Sequence, residues 1–428
     1  MKNPRYQNGK SGILKREERM KRKFLLIAMA AALLFSACGS SEKTAASGES
    51  GTVKAEESRA EAESKSEEGS KTEAAEESGS GETEKGSYPE AERTLSTGDQ
   101  PESAVITWAQ GMSGNVLVSI AKAEGYFDEV GLTVNEVPLD DGQLEAVTTG
   151  QVDIASNSGT WTPIKMIMAG NDMAVIGGHM LTGCMPVIAK EGTEYNGPES
   201  FLGKKVGDTI SRYALFHELL EEGHDLKKEI TFVDGLSSED AIQAVLKGEV
   251  DYATIGTGTM YQVLNTKGIK IVTYCSDVTP NYSCCRMVAR DSWVKKNPTT
   301  VKLLNEALIR AQDYFQNHRE ETVQLMMKQL NTKQEYVEAY LLNEHYRINP
   351  DTLKNVVFDN YYYMKAVGGL ENVDPSVKLE DRIYNDLYKQ ALDEAQKKWG
   401  SEDPDFYESA QKFYEKYNTD VKESSMPK

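Results

Sequence analysis

The 428-residue sequence is poor in the residue types that catalytic and metal sites use most often. It has five histidines and five cysteines, and neither type is spaced like a set of metal ligands. It also lacks a Gly-x-Ser-x-Gly nucleophile motif and a phosphate-binding Gly-x-x-x-x-Gly-Lys-Ser/Thr loop. These shortages argue against a hydrolase, a nucleotide-dependent enzyme and a metalloprotein. We therefore expect no catalytic residues, no cofactor and no metal.

Basic side chains are the second shortage. The chain has 48 lysines and arginines against 67 aspartates and glutamates, a formal net charge of −19. Its first 37 residues carry nine basic and two acidic residues, so a chain without them would have a net charge of −26. Because such a chain repels phosphate backbones, we expect no nucleic-acid partner.

Long apolar runs are absent except near the N-terminus. Basic residues at 21–23 precede an apolar run at 24–35, and small residues then lead to Cys38. This pattern predicts a secretory signal over residues 1–37, with Met20 as an alternative start. Residues 34–38 read Leu-Phe-Ser-Ala-Cys and resemble a bacterial lipobox, from which Phe35 is a departure. The resemblance implies a lipidated Cys38 and an exported protein anchored on the outer face of the cell membrane; plain secretion and a retained anchor are the alternatives.

Residues 38–102 contain few aromatic or branched apolar side chains and are rich in Ser, Glu, Gly, Ala and Lys. Such a composition cannot bury enough surface to offset the entropy of an ordered chain. We expect a disordered acidic tether that follows Cys38.

One phrase occurs twice in the remaining chain. Residues 150–156 read Gly-Gln-Val-Asp-Ile-Ala-Ser, and residues 248–254 read Gly-Glu-Val-Asp-Tyr-Ala-Thr. Each copy follows an amphipathic stretch, which predicts a helix that ends at the glycine and a short strand after it. Two similar α/β lobes are therefore expected, with strand ends that open on a ligand crevice. We interpret the recurring Asp153 and Asp251 as structural carboxylates that each hold a turn by accepting backbone N–H bonds.

Strand and helix patterns alternate through both lobes. Two apolar crossings, near residues 184–190 and 275–288, predict a double hinge. Lobe 1 is then expected to comprise residues 103–189 and 284–428, which are mostly helical from residue 291, and lobe 2 to comprise residues 190–283.

The four remaining cysteines are Cys184, Cys275, Cys284 and Cys285. An exported location would permit a disulfide between Cys275 and either Cys284 or Cys285. Small buried thiols within strands are the interpretation that we favour.

Four segments, in this order, resemble the solute-binding components of ABC importers, in particular the nitrate, sulfonate, taurine and thiamine-precursor group. They are residues 120–132 (Ile-Ala-Lys-Ala-Glu-Gly-Tyr-Phe-Asp-Glu-Val-Gly-Leu), 150–155 (Gly-Gln-Val-Asp-Ile-Ala), 202–207 (Leu-Gly-Lys-Lys-Val-Gly) and 296–301 (Lys-Asn-Pro, then Val301). The likeness runs from about residue 103 to 330, and the tail beyond residue 340 is longer than it accounts for.

The resemblance implies a periplasmic binding protein fold of type II: two α/β lobes joined by a two-strand hinge, followed here by a helical C-terminal extension. It also implies a monomer that captures a small, anionic, sulfonate-, nitrate- or taurine-like solute between the lobes and delivers it to a membrane permease.

Residues that would hold the solute should lie on loops at the strand ends that face the crevice. From lobe 1 these are Trp108, Gln110, Met112, Ser113, Asn115, Asn157, Ser158, Gly159, Thr160 and Trp161. From lobe 2 they are Thr209, Ser211, Arg212, Tyr213, Gly256, Thr257, Gly258 and Thr259.

Particular chemistry is expected at three of these positions and at one histidine. Arg212 opens a helix, where backbone N–H groups and the helix dipole favour an anion, and it could pair with a sulfonate or carboxylate; a surface arginine is the alternative. Trp108 and Trp161 could stack on an aromatic solute or anchor the core. His179 ends a strand and is interpreted as a polar loop residue rather than a ligand contact.

Alternative functions remain open. The solute could be a thiamine precursor or another heteroaromatic molecule. An enzyme of thiamine-precursor synthesis could share the fold, but its cysteine-rich signature is incomplete here, because residues 284–288 read Cys-Cys-Arg-Met-Val. A surface sensor or adhesin would use the same anchor and tether, and an exposed apolar patch away from the crevice would favour it.

Overall fold

The structure, a computed structural model, describes residues 100–419. The predicted signal segment, Cys38 and nearly all of the tether lie outside the described residues. In the described part no helix is both long and apolar enough to span a bilayer.

Twelve strands are assigned in the described residues: β1 Val105–Gln110, β2 Thr133–Pro138, β3 Ile154–Ala155, β4 Ala174–Gly178, β5 Met180–Thr182, β6 Pro186–Lys190, β7 Lys205–Gly207, β8 Thr231–Phe232, β9 Tyr252–Thr254, β10 Ile269–Tyr274, β11 Arg286–Ala289 and β12 Arg347–Ile348.

The α-helices of the same residues are α1 Val116–Ala123, α2 Tyr126–Glu129, α3 Gln143–Thr149, α4 Trp161–Met168, α5 Tyr213–Glu221, α6 Leu226–Glu229, α7 Ser238–Lys247, α8 Met260–Asn265, α9 Cys275–Val278, α10 Asp291–Lys296, α11 Pro298–Asn317, α12 Arg319–Leu330, α13 Gln334–Leu341, α14 Lys354–Ala366, α15 Asn385–Trp399 and α16 Pro404–Asn418. Short 3-10 turns occupy Pro198–Phe201, Thr257–Thr259 and Leu379–Arg382.

Two five-stranded sheets form the two predicted lobes. The first has the order β2-β1-β3-β11-β4 and the second has the order β10-β6-β9-β7-β8. In the first sheet β1 is parallel to β2 and β3, and β11 is antiparallel to β3 and β4. In the second sheet β7 is parallel to β8 and β9, and β6 is antiparallel to β9 and β10. The mixed α/β architecture predicted from the sequence is confirmed.

The repeated phrase has the same structure in both lobes. Gly150 and Gly248 end α3 and α7 in the left-handed conformation, with φ of 78° and 76°, where a side chain would be strained. Oδ2 of Asp153 accepts the N–H of Thr107 at 2.9 Å, and Oδ2 of Asp251 accepts the N–H of Lys205 at 2.8 Å. Both carboxylates accept backbone N–H bonds, as predicted, but each bond reaches the neighbouring parallel strand, 46 residues away, rather than holding a turn.

The chain crosses between the lobes twice, near residues 179–185 and 275–285. The two crossings lie side by side, because the N–H of Cys284 donates to Leu181 O at 3.1 Å and that of Cys285 to Met180 O at 3.0 Å. Since β6 belongs to the second sheet, the first boundary falls before Pro186 rather than at residue 189.

The C-terminal extension packs against both lobes. Helix α11 contacts α1 and α15, α13 contacts α8, and α14 contacts α5. Strand β12 pairs with β5 in a separate two-stranded sheet. The sequence predicted that the extension belongs to lobe 1 alone. In the structure it contacts both lobes.

Candidate functional site

The lobes meet where the loop after β1 faces the loop after β9. A Cβ atom at Gly258 would lie 3.1 Å from Cβ of Met112 and 3.4 Å from the Tyr336 hydroxyl. That distance is tighter than ordinary carbon contacts, so the absence of a side chain at Gly258 allows the two loops to approach. In the structure, the loop that carries Gly258 therefore lies against the loop that carries Met112.

The lobe 1 wall is built on a buried network of polar side chains. The indole N–H of Trp108 donates to Ser156 Oγ at 3.1 Å, and Ser156 Oγ donates to Asn115 Oδ1 at 3.2 Å. Asn115 also donates to Ala109 O and to Glu136 Oε1, both at 3.1 Å. Trp108 is 1% exposed and Asn115 is fully buried. These contacts favour a core role for both side chains, in place of the stacking role considered for Trp108.

Asn157 connects this network to the crevice. Its Nδ2 donates to Asn115 Oδ1 at 3.0 Å and to Gly114 O at 3.3 Å. Its Oδ1 is buried and is one of the side-chain oxygens of the described residues that have no hydrogen-bond partner. A buried acceptor without a donor is costly, so Asn157 Oδ1 is suited to receive a donor from a solute.

The start of α4 is tied to the second crossing. Thr160 Oγ1 donates to Ser283 O and, at 3.4 Å, to Cys284 O. Ser158 Oγ donates to Gln143 Oε1 at 3.3 Å. Trp161 is half-buried beside Gly159, and Lys165 Nζ lies 5.2 Å from the centre of its ring. Of the two predicted aromatic platforms, Trp161 is the one with an accessible surface.

Two other predicted lobe 1 residues keep accessible surface at the entrance. Gln110 is half-buried and Met112 is 51% exposed. Ser113 is buried, and its carbonyl accepts the Tyr340 hydroxyl at 3.1 Å. The C-terminal extension therefore holds this loop in place.

The lobe 2 loop before α5 differs from the open anion site that was expected. Arg212 Nε and Nη2 donate to both carboxylate oxygens of Asp208 at 2.9–3.0 Å. Burial acts to lower the pKa of the guanidinium, but the charge and hydrogen bonds of Asp208 outweigh it and raise that pKa. The one arginine nominated for an anion is already paired with a carboxylate.

The backbone donors of the same loop are also used internally. Asp208 Oδ1 accepts the N–H of Thr209 at 2.7 Å, and Thr209 Oγ1 accepts the N–H of Ser211 at 3.3 Å. The C-terminal extension covers the loop from outside, where the Tyr363 hydroxyl donates to Ile210 O at 2.8 Å and its ring packs edge-on against Tyr213. The N–H groups of Thr209, Ser211, Arg212 and Tyr213 are therefore already bonded within the loop.

The floor between the walls consists of residues that were not nominated. A Cβ atom at Gly183 would lie 2.5 Å from Thr257 Oγ1 and 3.1 Å from Cys284 Sγ. The N–H of Gly183 donates to the Tyr282 hydroxyl at 3.0 Å. Thr257 and Thr259 are buried next to this floor. The doublet Cys284-Cys285 was the sequence feature that could have indicated these residues. From the sequence it was interpreted only as an incomplete signature of thiamine-precursor synthesis.

All four described cysteines are free thiols and buried. They lie on the crossings and at the start of α9 rather than within strands. His179 is also buried, and desolvation together with the charge of Arg286 lowers its pKa to about 3. Within residues 100–419 no group of three or more His, Cys, Asp or Glu side chains is arranged to hold a metal ion.

Comparisons with known proteins identify the architecture. Residues 116–322 match the family model described as NMT1/THI5 like. No curated protein matches the sequence.

Solved structures with this fold include both binding proteins and an enzyme. The aliphatic sulphonate binding protein SsuA of Escherichia coli is 18% identical, with a TM-score of 0.53 over 66% of this chain and 92% of its own. The nitrate-binding protein NrtA of Synechocystis PCC 6803 is 14% identical, with a TM-score of 0.56 over 69% and 89%. The desulfurization enzyme DSZB is 13% identical, with a TM-score of 0.50 over 68% and 99%. Residues 116–322 are therefore similar to the NMT1/THI5-like family, and the described chain has the two-lobed fold seen in periplasmic solute-binding proteins.

Proposed function

We propose that this protein is the solute-binding component of an ABC importer. It captures a small solute between its two lobes and presents the closed complex to a membrane permease. The contact of the Gly258 loop with the loop at Met112 carries the proposal, because residues of both lobes meet there at the carboxyl ends of strands. A solute that bridges both walls gains its full set of contacts only when the lobes are closed, and so it shifts the population toward that state.

The polar groups of the cleft favour a solute without net charge over a simple inorganic anion. Asp208 neutralises Arg212, and Asn157 Oδ1 offers an acceptor rather than a donor. A taurine-like zwitterion brings both an ammonium donor for that acceptor and a sulfonate. A heteroaromatic solute such as a thiamine precursor instead brings ring N–H donors and a face for Trp161.

A thermal-shift screen tests the binding function. The purified protein is heated with taurine, methanesulfonate, nitrate and an aminopyrimidine, each in excess. A ligand that binds only the folded state at 100 times its Kd adds about 2.7 kcal/mol of stability and raises the melting temperature. We expect taurine or the aminopyrimidine to act more strongly than nitrate.

The screen also tests the alternatives. Chemical conversion of a stabilising compound would favour an enzyme, to which the likeness to DSZB lends support. Failure of every compound, together with native mass spectra that contain no co-purified small molecule, would contradict a solute-binding role and leave the sensor or adhesin.

We also propose that the protein is exported and held on the membrane by a lipid on Cys38. Metabolic labelling with a fatty acid should mark the wild-type chain and fail to mark Cys38→Ala, which should leave the membrane fraction. A membrane-bound Cys38→Ala protein would instead indicate a retained apolar anchor.

A further inference from the structure

Sulfur atoms gather on the floor of the cleft, where the two crossings pair. Cys284 Sγ lies 3.7 Å from Cys285 Sγ and 3.6 Å from Met185 Sδ. Cys284 is 9% exposed and Cys285 is 5% exposed. Cys284 Sγ lies beside the Gly183 position, which also faces Thr257 Oγ1. The pair is therefore placed where the lobes part.

The two neighbouring thiols differ in acidity. A hydrogen bond from the Cys285 thiol lowers the pKa of Cys284 to about 7 against the effect of burial, and the Tyr282 hydroxyl and the charge of Arg212 act in the same direction. The same hydrogen bond and burial raise the pKa of Cys285. The lowered pKa favours Cys284 as the attacking thiolate and the raised pKa favours Cys285 as the protonated neighbour, which is the arrangement of an attacking and a resolving thiol.

The other two thiols lack this arrangement. The Cys184 thiol donates to Tyr340 O at 3.3 Å, and burial raises its pKa. Cys275 is fully buried at the start of α9, and burial raises its pKa as well. Both are expected to be inert toward thiol chemistry while the protein is folded.

We propose that Cys284 and Cys285 form a reversible thiol–disulfide site on the floor of the cleft, and that its reaction partner is a low-molecular-weight organic disulfide. The Cys284 thiolate attacks one sulfur of the partner RSSR, forms a mixed disulfide and releases RS⁻. Cys285 then loses its proton and attacks Cys284 Sγ, which expels the second RS⁻. Both products take up protons as RSH, so the two cysteines are oxidised and one RSSR is reduced to two RSH.

The bond between adjacent residues should be easy to reverse. Consecutive Cα atoms are about 3.8 Å apart, whereas disulfides usually join Cα atoms about 4.4 to 6.8 Å apart. Such a bond is strained, and strained disulfides have the higher reduction potentials of labile, regulatory pairs. Formation of the bond also changes the contacts of Cys284 Sγ with Met185 and Gly183. Oxidation of the two thiols would therefore alter the packing between the two crossings.

The test uses the full chain and bis(2-hydroxyethyl) disulfide as the oxidant. After incubation and an acid quench, the remaining thiols are alkylated under denaturing conditions and the peptides are analysed by mass spectrometry. We expect the peptide that contains Cys284 and Cys285 to lose two hydrogens and to take up no alkyl group, while Cys184 and Cys275 are alkylated. Dithiothreitol should restore both thiols.

Single variants separate the two roles. Cys285→Ser should stop at the mixed disulfide on Cys284, and Cys284→Ser should leave Cys285 unreacted, whereas Cys184→Ser is a matched control that should still form the bond. The rate of the first step in the wild type, measured as the release of the first RSH, should rise with pH and level off above about 7, rather than near the 8.5 of an unperturbed thiol.

Three outcomes would overturn the proposal: both thiols fully alkylated in a protein whose circular dichroism is native, a cross-link from Cys284 to Cys184 or Cys275, or a first-step rate that keeps rising through about pH 8.5. None of these readings requires a solute. Failure here and failure of the proposed transport role are therefore distinguishable.

Discussion

Arg212 and Asp208 form a forked ion pair four residues apart, with the carboxylate side chain 2% exposed and the guanidinium side chain 21% exposed. The loop that holds them also uses Asp208 to accept the N–H of Thr209. One carboxylate thus neutralises the cleft arginine and shapes the turn before α5. This pair determines both the charge that the second lobe shows to a solute and the stability of its loop.

Replacing Asp208 with asparagine should destabilise the protein. The variant leaves Arg212 partly buried without a counter-charge, and breaking such pairs costs about 3–5 kcal/mol when both partners are fully buried. Because Arg212 keeps some exposure, we expect the free energy of unfolding to fall by about 2–3 kcal/mol. Urea denaturation measures this change.

The matched control is Asp225→Asn. Asp225 pairs with Lys228 at 2.6 Å on the surface, where both side chains are largely exposed. Such pairs contribute little, so the control should unfold at nearly the wild-type urea concentration. An equal loss in both variants would mean that the Arg212 pair contributes no more than a surface pair. The freed Arg212 should also make nitrate or methanesulfonate a better ligand in the thermal-shift screen.

Asp153 and Asp251, the equivalent aspartates of the two repeats, should contribute different amounts to the free energy of unfolding. Asp153 Oδ2 accepts both the N–H and, at 2.7 Å, the hydroxyl of Thr107, and its Oδ1 lies 3.5 Å from Arg290 Nη2. Asp251 is more exposed and accepts one hydrogen bond, from the N–H of Lys205. We expect Asp153→Asn to lower the free energy of unfolding by about 1–3 kcal/mol and Asp251→Asn by about 1 kcal/mol or less. Solute affinity should be unchanged in both, and a loss of affinity at constant stability would give these residues a direct role.

Local features of this fold were predictable because they depend on neighbours in sequence. The glycine that ends each helix and the short strand after it follow from conformational preference and periodicity, so the phrase at residues 150–156 and 248–254 predicted both lobes. The start of α11 at Pro298 and the cap of α7 by Ser237 have the same origin.

The site was harder to predict because its chemistry depends on contacts between distant segments. Nothing within the loop at 208–213 shows that Tyr363 covers it, since that contact joins residues 153 positions apart. An arginine at position 212 predicts a positive charge. Whether that charge is available to a solute depends on Asp208, which pairs with it. The cluster of sulfur atoms at Cys284 could not be predicted without knowing that the two crossings pair. That pairing brings Cys284 beside Met185, 99 residues away in sequence.

A pH dependence of stability should arise at Asp351. The residue is fully buried, and desolvation raises its pKa to about 6 although Asn418 and the N–H of Leu353 donate to its Oδ1. The native state therefore binds this proton more tightly than the unfolded state, whose pKa is about 3.9. The stabilisation is complete below about pH 4 and is lost as the pH rises through about 6.

Asp351→Asn isolates this contribution. Between about pH 4 and pH 7 the wild type should lose about 2–3 kcal/mol relative to the variant, from a difference of about two pKa units. Urea denaturation across that range measures both proteins, and their difference cancels the other titrating groups. Parallel stability curves would show that Asp351 titrates alike in the folded and unfolded chains.

Gly258→Ala should act on the contact between the lobes. The added methyl group would lie 3.1 Å from Met112 Cβ, and a backbone-anchored carbon cannot move aside as the end of a flexible side chain can. Overpacking of this kind costs about 1–3 kcal/mol. Because the added methyl group acts where the two loops meet, we expect the cost to fall on closure, which would weaken solute affinity roughly 5- to 150-fold.

Hydrogen exchange followed by mass spectrometry shows which segments Gly258→Ala loosens, and this measurement needs no known solute. The loops at residues 111–114 and 256–259, and helix α13, which contacts them through Tyr336, should exchange faster in Gly258→Ala. Gly256→Ala is the control, since its methyl group would lie 3.4 Å from Ser238 Oγ within the same lobe and reach no residue of lobe 1 within 4 Å. Its effect should remain within residues 238–259. If both variants exchange alike in lobe 1, the contact at Gly258 does not hold the lobes together, and the closing surface must lie at another part of the cleft.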